Sequence, residues 1–337
     1  LKSYGKTYFS PRSFNNSYGV PLSLCNLEEE HKYGVFEIVM SKKGEIGNLS
    51  KLVKPNIAII TNIAEARIEN FRNISHIAKA KGEIIDNIST SGSLILDRDD
   101  KFFNYFKSKA EKKKIKVVSV GFNCKSDIKI LKVKKFLKYK LIKIKSSKKE
   151  YTIKTKEQLI KNIAFATAAL EVLNLDVEKI VNKIKDIEIL DGRGKLYKIK
   201  YKNLNFNLID ESYNANPLSM KQSIINLSNI TNNHQKYILL GDMLELGKKS
   251  EILHRNLSPI INQSKINKIF IHGDHIMNTY KNVNKKKRGN ILQDKSDFKE
   301  IVLPILENND YLMIKGSNAT GLNKISKNLT KERVNVI

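Results

Sequence analysis

Two polar segments in the second half of the chain have the residue types and spacing of a ligand-binding site. They are Asp210-Glu-Ser-Tyr-Asn-Ala-Asn-Pro217 and Leu240-Gly-Asp-Met-Leu-Glu-Leu-Gly247, and each follows an apolar run typical of a strand, Phe206–Ile209 and Tyr237–Leu239. Open α/β sheets bind ligands at the carboxyl ends of their strands, where Asn and Asp also stabilise tight turns. Either segment alone is equally well explained as an ordinary strand–turn–helix with Asn-Pro at the helix start.

Further polar motifs occur in the first half of the chain and near its end. They are Ser13-Phe-Asn-Asn-Ser-Tyr-Gly-Val-Pro21, Phe36-Glu-Ile-Val-Met-Ser-Lys-Lys-Gly-Glu-Ile46, Ile60-Thr-Asn-Ile-Ala-Glu-Ala66, Ile77-Ala-Lys-Ala-Lys-Gly-Glu-Ile84, Asp97-Arg-Asp-Asp100 and Ile314-Lys-Gly-Ser317. Together with the two segments above, they resemble the Mur ligase family, and within it the MurF type, from about residue 5 to about residue 330. Each motif alone is weak evidence, whereas their order along the chain is specific.

The resemblance implies an ATP-dependent amide-bond ligase of peptidoglycan precursor synthesis, which adds D-alanyl-D-alanine to UDP-MurNAc-tripeptide. In that reaction a substrate carboxylate accepts the γ-phosphoryl group of ATP, and an amine then displaces phosphate from the acyl phosphate. Phosphoryl transfer depends on positioning and charge neutralisation, so ATP and Mg²⁺ are the expected cofactors. The expected partners are the two small-molecule substrates, and we expect a cytoplasmic monomer that neither binds nucleic acid nor inserts into a membrane.

The resemblance also implies roles for individual residues. The implied catalytic residues are Glu37, Lys81 and Arg193, with Glu37 and a carbamylated Lys81 as oxygen ligands of Mg²⁺. The implied nucleotide-binding residues are Asn15, Asn16, Asn62, Asp99, Asn162, Glu211, Tyr213, Asn214 and Asn216. The implied substrate-binding residues are Asp242, Glu245, Lys315 and Ser317. Without the resemblance, Lys81 is better explained as a solvated helix lysine, and Asp242 and Glu245 as helix caps.

Four residues depart from the family's pattern. Arg67 stands where the family has a magnesium-ligating His, and a guanidinium group cannot ligate a cation. Val39 replaces a Gly, Asp97 replaces an Asn, and Gln158 takes the place of a His. We expect these changes to affect second-metal binding and activity without threatening the fold.

The family's P-loop, and the UDP-sugar-binding domain before it, have no counterpart in the sequence. Gly5-Lys6-Thr7 is not a P-loop, because the first Gly of that motif would fall at position zero and Tyr8-Phe9-Ser10-Pro11 does not open a helix. We interpret Gly5–Tyr8 as the start of a strand. A first residue of Leu fits a truncated reading frame, so we expect a piece that folds but does not turn over by itself.

The charge of the chain suggests a competing function. A net charge of +27 over 337 residues is typical of nucleic-acid-binding proteins. Only eight of the 61 basic residues are Arg, however, and residues 101–160 alone hold twenty Lys and four acidic residues. In that block Lys132, Lys134 and Lys143 alternate with apolar residues, as in strands with one solvated face. We therefore favour a solvated lysine face. The alternatives are a sister Mur ligase that adds another amino acid, and a non-catalytic nucleotide- or nucleic-acid-binding protein.

The elements that position these residues follow an α/β pattern. The predicted strands and helices before the glycines of Leu190-Asp-Gly-Arg-Gly194 are strands at 33–40, 56–62, 94–96 and 117–121 and helices at 74–88, 157–173 and 176–184. Strands at 33–40 and 56–62 are predicted to be buried, which would shield Glu37 from solvent. Strands near 197–209, 237–241, 268–272 and 310–314 then alternate with helices, which indicates a doubly wound sheet.

We therefore predict two α/β domains. Residues 1–189 would form a Mur ligase central, ATP- and Mg²⁺-binding domain without its P-loop, and residues 190–337 a Rossmann-like C-terminal domain. The Asn- and Lys-rich stretch Lys281–Asn290 is predicted to be an exposed loop. No apolar run reaches the length of a membrane span. Cys25 and Cys124 lack metal or disulfide spacing, which fits a reducing cytoplasm.

Overall fold

The computed structural model describes residues 1–11, 13–136, 139–155, 160–185, 187, 189–331 and 333–336. They form two compact units, one of Leu1–Ile63 with Phe71–Glu188 and the other of Ala64–Asn70 with Ile189–Ile337. Gln158 and the predicted helix start at residue 157 lie outside the described residues.

The strands of the first unit form two sheets, one of two strands and one of six. Its strands are β1 (Thr7–Phe9), β2 (Tyr33–Val35), β3 (Ile57–Ile60), β4 (Ser93–Asp97), β5 (Lys116–Gly121), β6 (Ile128–Lys135), β7 (Lys140–Lys145) and β8 (Glu150–Thr155). Its α-helices are α1 (Gly19–Cys25), α2 (Glu45–Val53), α3 (Ile74–Lys81), α4 (Phe103–Lys112), α5 (Ile160–Val172) and α6 (Glu178–Ile184). The predicted helix at 74–88 is α-helical only to Lys81 and continues as a 3₁₀ helix over Gly82–Asn87.

A six-stranded sheet in the order β3-β4-β5-β6-β7-β8 organises the first unit. Strands β3 to β6 run parallel, and all five residues of β4 are buried, as expected for a strand covered on both faces. Strands β6, β7 and β8 are antiparallel. Their inward isoleucines pack with the apolar helix α5, while lysines occupy the outward positions. The predicted strands with one solvated face are thus confirmed.

The predicted buried strand at residues 33–40 is wrong. Strand β2 is only three residues long, and among the described strands it pairs with β1 alone. A two-stranded ribbon leaves its faces largely uncovered, so Val35 is 47% exposed. The chain leaves the ribbon after Val35, and Glu37 is exposed rather than shielded. The strand predicted from Gly5–Tyr8 is present as β1.

The second unit is a mixed α/β domain. Its strands are β9 (Lys195–Tyr201), β10 (Leu204–Asp210), β11 (Lys236–Gly241), β12 (Lys268–His272), β13 (Arg288–Ile291), β14 (Tyr311–Lys315) and β15 (Arg333–Val336). Its α-helices are α7 (Pro217–Ser228), α8 (Ser250–Arg255), α9 (Ser258–Gln263), α10 (Met277–Asn282), α11 (Phe298–Ile301) and α12 (Leu322–Lys331).

The seven strands form one sheet in the order β13-β12-β11-β14-β10-β9-β15, parallel from β13 to β10. This arrangement confirms the predicted Rossmann-like sheet and brings the carboxyl ends of β10, β11 and β14 side by side. The predicted loop at Lys281–Asn290 is wrong, because this stretch holds the end of α10, a 3₁₀ turn and most of β13. An edge strand has one solvated side, so its composition is as polar as that of a loop.

Within the described part of the chain, no helix has the length and apolar character needed to cross a membrane.

Candidate active site

In the first unit, a backbone hydrogen bond connects the loop of Asn15 and Asn16 to the loop that follows Glu37. The Val39 N–H group donates to the Asn15 carbonyl oxygen at 2.9 Å. Asn16 accepts from the N–H groups of Tyr18 and Gly19 through its side-chain oxygen, at 3.1 and 2.9 Å. That amide oxygen therefore stabilises the start of α1. Val39 is not among the described residues with a positive φ, so its backbone conformation does not require glycine.

The loop that follows Glu37 is clamped by two other carboxylates. Glu45 accepts from the N–H groups of Ser41 and Lys42, at 2.5 and 3.1 Å. Glu83 accepts from the N–H groups of Gly44 and Gly47, at 2.9 and 3.1 Å. These contacts fix the chain between the exposed Glu37 carboxylate and helix α2. The Glu37 side chain itself stays at the surface, where it is accessible to a ligand.

Lys81 lies where the ends of β3 and α3 meet. Its ammonium group donates to the backbone carbonyl of Asn62 at 3.1 Å, which joins two predicted site residues. Asp100 accepts from the neighbouring Ile63 N–H group at 3.0 Å. Burial lowers the pKa of Lys81, although the charge of Asp100 acts in the opposite direction. Lys81 therefore differs from a solvated helix lysine, whose pKa would not be lowered.

A charged triad follows β4, and the sequence reasoning identified only part of it. The Lys161 ammonium lies 2.7 Å from a carboxylate oxygen of Asp97 and 2.8 Å from one of Asp99. Asp99 also accepts from the N–H groups of Phe122 and Asn123, both at 2.9 Å. Lys161 was missed, although a buried Asp97 requires a partner and Lys161 precedes the predicted Asn162, whose side chain is exposed.

The pKa shifts in this triad act in two directions. Although burial favours the neutral amine, the pKa of Lys161 is raised, because Asp97 and Asp99 both accept hydrogen bonds from its ammonium group. Burial raises the pKa of Asp97, against the effect of Lys161. At Lys161 the hydrogen bonds to the two carboxylates thus outweigh desolvation, whereas at Asp97 desolvation outweighs the attraction of Lys161. Asp97, which stands where the family has an Asn, therefore has a cationic partner, Lys161, in the same unit.

In the second unit, Asp210 at the end of β10 organises the segment that carries Arg193. Its carboxylate accepts from the Gly192 N–H group at 3.0 Å and from the Ser212 hydroxyl group at 2.6 Å. Gly192 has a φ of +77°, and a Cβ there would lie 2.8 Å from the Tyr213 nitrogen, so glycine is required. The Arg193 guanidinium carbon lies 4.4 Å from the centre of the Tyr213 ring. Two predicted site residues are thereby brought together.

The Lys315 side chain, predicted to bind the acceptor substrate, points to the residues predicted for the nucleotide. It is 2% exposed, and its ammonium lies 3.4 Å from a Glu211 carboxylate oxygen and 3.1 Å from the Asn214 carbonyl. Burial lowers the pKa of Lys315, while Glu211 opposes that shift. Asn216 caps α7 by accepting from the Ser219 N–H group at 2.9 Å. Asn216, rather than Glu211, therefore supplies the helix cap.

Asp242, Ser317 and His254 hold the loop after β11. Asp242 accepts from the Ile276 N–H group at 2.7 Å through its buried carboxylate. The Ser317 hydroxyl accepts from the Leu244 N–H group at 2.9 Å. His254 is fully buried, and its Nε2 atom accepts from the Met243 N–H group at 2.9 Å. Both ring nitrogens of His254 have hydrogen-bond partners, so it is a satisfied structural residue. The side chains of Asp242 and Ser317, which were predicted to bind substrate, thus accept backbone hydrogen bonds that position this loop.

Glu245 lies on the same loop and pairs with Arg67. The Arg67 Nε atom lies 3.2 Å from a Glu245 carboxylate oxygen, and Arg67 belongs to the segment Ala64–Asn70 that packs in the second unit. The guanidinium group therefore has an anionic partner at the position where the family has a metal-ligating His. Among the described residues, no group of three or more His, Cys, Asp or Glu side chains is arranged to hold a metal ion.

Both units match known protein domains. Residues 1–173 match the Mur ligase middle domain, and residues 197–318 match the Mur ligase glutamate ligase domain. A UDP-N-acetylmuramoyl-tripeptide–D-alanyl-D-alanine ligase of Buchnera aphidicola (subspecies Acyrthosiphon pisum) is 30% identical over 353 residues, covering 98% of this chain and 72% of that protein.

Solved structures show the same fold. MurF from Acinetobacter baumannii is similar with a TM-score of 0.88 and 24% identity, over 98% of this chain and 72% of that chain. The MurF ligase of Thermotoga maritima in complex with ADP has a TM-score of 0.83 and 20% identity, over 98% and 75%. These likenesses and the sequence relatives do not favour the alternatives of a sister ligase or a non-catalytic binding protein.

Proposed function

The chain belongs to the Mur ligase family, and from that premise we propose that it is the ligase that joins D-alanyl-D-alanine to UDP-MurNAc-tripeptide in peptidoglycan synthesis. The reaction consumes ATP. The terminal carboxylate of the tripeptide accepts the γ-phosphoryl group, ADP leaves, and the dipeptide amine displaces phosphate to form the amide. The observation that carries the proposal is the cluster of Arg193, Tyr213, Glu211 and Lys315 at the ends of β10 and β14.

The chemistry of this cluster fits a nucleoside triphosphate. A guanidinium group presents paired donors to phosphate oxygens, which suits Arg193 for neutralising charge during transfer. A carboxylate accepts hydrogen bonds from adjacent ribose hydroxyls, which suits Glu211. Lys315 is too buried to leave this position, so we assign it to holding Glu211 and the Asn214 backbone in place. Asp210 holds Gly192, and with it the segment of Arg193.

The residues of the first unit fit Mg²⁺ in part. Mg²⁺, when bound, would neutralise phosphate oxygens, and it prefers oxygen ligands. The exposed Glu37 carboxylate offers one. The lowered pKa of Lys81 favours carbamylation, because only the neutral amine reacts with CO₂ to give an anionic carbamate. Residue 67 does not fit a metal ligand, since its guanidinium group is cationic and paired with Glu245.

A direct test of the function measures phosphate release by the complete gene product. We expect release to require ATP, UDP-MurNAc-tripeptide and D-alanyl-D-alanine together, with an amide-linked product of matching mass. Single amino acids in place of the dipeptide serve as the control for a sister ligase. Equal or faster reaction with a single amino acid would contradict the proposed acceptor.

Substitution of Glu211 tests the nucleotide site. Glu211→Ala is expected to raise the KM for ATP by roughly ten-fold, because two ribose hydroxyls lose a charged acceptor worth about 1.5 kcal/mol or more. The KM for D-alanyl-D-alanine should be nearly unchanged. The melting temperature should fall, because the buried Lys315 ammonium loses its carboxylate partner, whereas the cap of α7 by Asn216 and Ser219 is retained. Glu300→Ala, at an exposed acidic residue, is the matched control. An effect on the dipeptide alone would contradict the assignment of Glu211.

Substitution of Arg67 tests the second metal position. Arg67→His is expected to lower the Mg²⁺ concentration for half-maximal activity by roughly ten-fold, because a nearby cation is replaced by a neutral ligand. Loss of the partly exposed pair with Glu245 should change stability by no more than about 1 kcal/mol. Arg72→His, at an exposed arginine, is the control. An unchanged Mg²⁺ dependence would place residue 67 outside the metal site.

A further inference from the structure

The outward side of β6, β7 and β8 carries a concentrated positive charge that the ligase reaction does not use. We call it the lysine face, and it consists of Lys129, Lys132, Lys134, Lys143, Lys145 and Lys154. Glu150 is the one acidic residue in the sequences of the three strands. Its carboxylate lies 2.6 Å from the Lys143 ammonium and 3.8 Å from that of Lys145. One carboxylate cannot balance six cations.

The register of the strands sets lysines directly opposite one another. Lys129 pairs with Lys145, and Lys132 pairs with Lys143, across β6 and β7. Like charges at directly opposed positions destabilise an antiparallel pair. Solubility alone would be served equally well by a surface on which lysines alternate with acidic residues. An anionic partner would turn this repulsion into attraction, so the charge pattern is complementary to such a partner.

The end of the β6–β7 hairpin adds apolar surface to the same side of the sheet. Phe136 is 46% exposed, and its ring stacks on Tyr139 with the ring centres 4.6 Å apart. The Lys154 ammonium lies 4.0 Å from the centre of the Tyr139 ring. Leu131 on β6 is 41% exposed. Aromatic rings beside lysines are typical of protein surfaces that contact the boundary between lipid headgroups and acyl chains.

We propose that the lysine face is a peripheral docking surface for an anionic lipid bilayer. Strand spacings place its charges about 5 Å apart across the sheet and about 7 Å apart along each strand, so several of the lysines can contact one anionic surface together. The three strands contain no arginine, the residue that best recognises phosphates of nucleic acids through paired donors. Phe136 and Lys154 already lie against the Tyr139 ring, which leaves little of its face to stack on a base.

The test is sedimentation of the full chain with vesicles of phosphatidylglycerol and phosphatidylcholine at a ratio of 3:7. We expect binding to these vesicles and none to pure phosphatidylcholine, with binding falling steeply as NaCl is raised from 50 to 300 mM. The variant Lys129→Glu/Lys132→Glu/Lys134→Glu should weaken binding by roughly a hundred-fold, since each lysine contributes about five-fold near an anionic surface. Its melting temperature should not fall, because two of the new carboxylates face Lys145 and Lys143.

The matched control is Lys221→Glu/Lys286→Glu/Lys327→Glu, which makes the same charge change at exposed lysines of the second unit. We expect it to bind vesicles within about three-fold of the unaltered chain, because it leaves all six lysines of the lysine face in place. Equal loss in both variants, or equal binding to pure phosphatidylcholine, would overturn the proposal. Binding to random duplex DNA at salt concentrations that release the vesicles would overturn it in favour of nucleic acid.

Discussion

Lys161→Met is expected to lower the free energy of unfolding of the first unit by about 2–3 kcal/mol. The Lys161 ammonium lies 2.7 Å from Asp97 and 2.8 Å from Asp99, and the side chains of Lys161 and Asp97 are 29% and 9% exposed. Without the cation, the Asp97 and Asp99 carboxylates lose the ammonium group that both of them contact, and Asp97 stays buried. Breaking a fully buried pair costs about 3–5 kcal/mol, and the partial exposure of Lys161 reduces that figure.

The double variant Asp97→Asn/Lys161→Met separates charge balance from packing. It should recover most of the lost stability, because it removes the buried anion together with its partner and restores the residue type of the family at position 97. Urea unfolding of the unaltered chain, both single variants and the double variant gives the coupling free energy. Lys109→Met is the control, since Lys109 pairs with Asp86 at 2.7 Å but that carboxylate is 42% exposed. Additive effects of the two substitutions would contradict the coupling.

The fold could be predicted wherever burial imposes a regular pattern. The apolar segments that became β4, β10, β11 and β14 are buried in the middle of sheets, and the alternating lysines of β6–β8 mark one solvated face. In these elements the local composition and the final environment agree. At β2 they disagree, because an apolar run cannot reveal how many neighbouring strands will cover it. Burial at residues 33–40 depended on strand partners that the sequence does not identify.

The candidate site was predictable as a set of segments, but less so as contacts. The family's motifs located Arg193, Glu211 and Tyr213, which the structure brings together at the end of β10. They did not identify Lys161, whose partner Asp97 lies 64 residues earlier in the chain. The motifs also did not reveal that Lys315 contacts Glu211. The direction of the Lys315 side chain depends on the register of β14 against β10, which the motifs do not contain. Such pairings arise from tertiary packing rather than from local spacing.

Lys81→Met is expected to lower kcat of the complete gene product by roughly 10²–10³-fold, which is the size of effect seen when one preorganised oxyanion-hole donor is removed from an active site. The proposed active form of Lys81 is a carbamate, made when the neutral amine bonds to CO₂ and releases a proton to solvent. Its lowered pKa, caused by burial, increases the fraction of neutral amine at a given pH. Lys79→Met, on the exposed side of the same helix, is the matched control and should change kcat by less than about two-fold.

Carbamylation has a readout that does not depend on catalysis. In ¹³C-bicarbonate, the unaltered chain and Lys79→Met should show a carbamate carbon signal that Lys81→Met lacks. Carbamylation requires the deprotonated amine, so the signal should grow as pH rises towards the lowered pKa and should disappear in acid, where the carbamate decomposes and the amine is protonated. Lys81 also makes the free energy of unfolding depend on pH. Because folding lowers its pKa, Lys81 binds fewer protons in the folded chain than in the unfolded chain. The free energy of unfolding therefore rises as pH rises towards 10.5. A full carbamate signal in Lys81→Met, or unchanged kcat, would show that Lys81 only holds the Asn62 carbonyl at the end of β3.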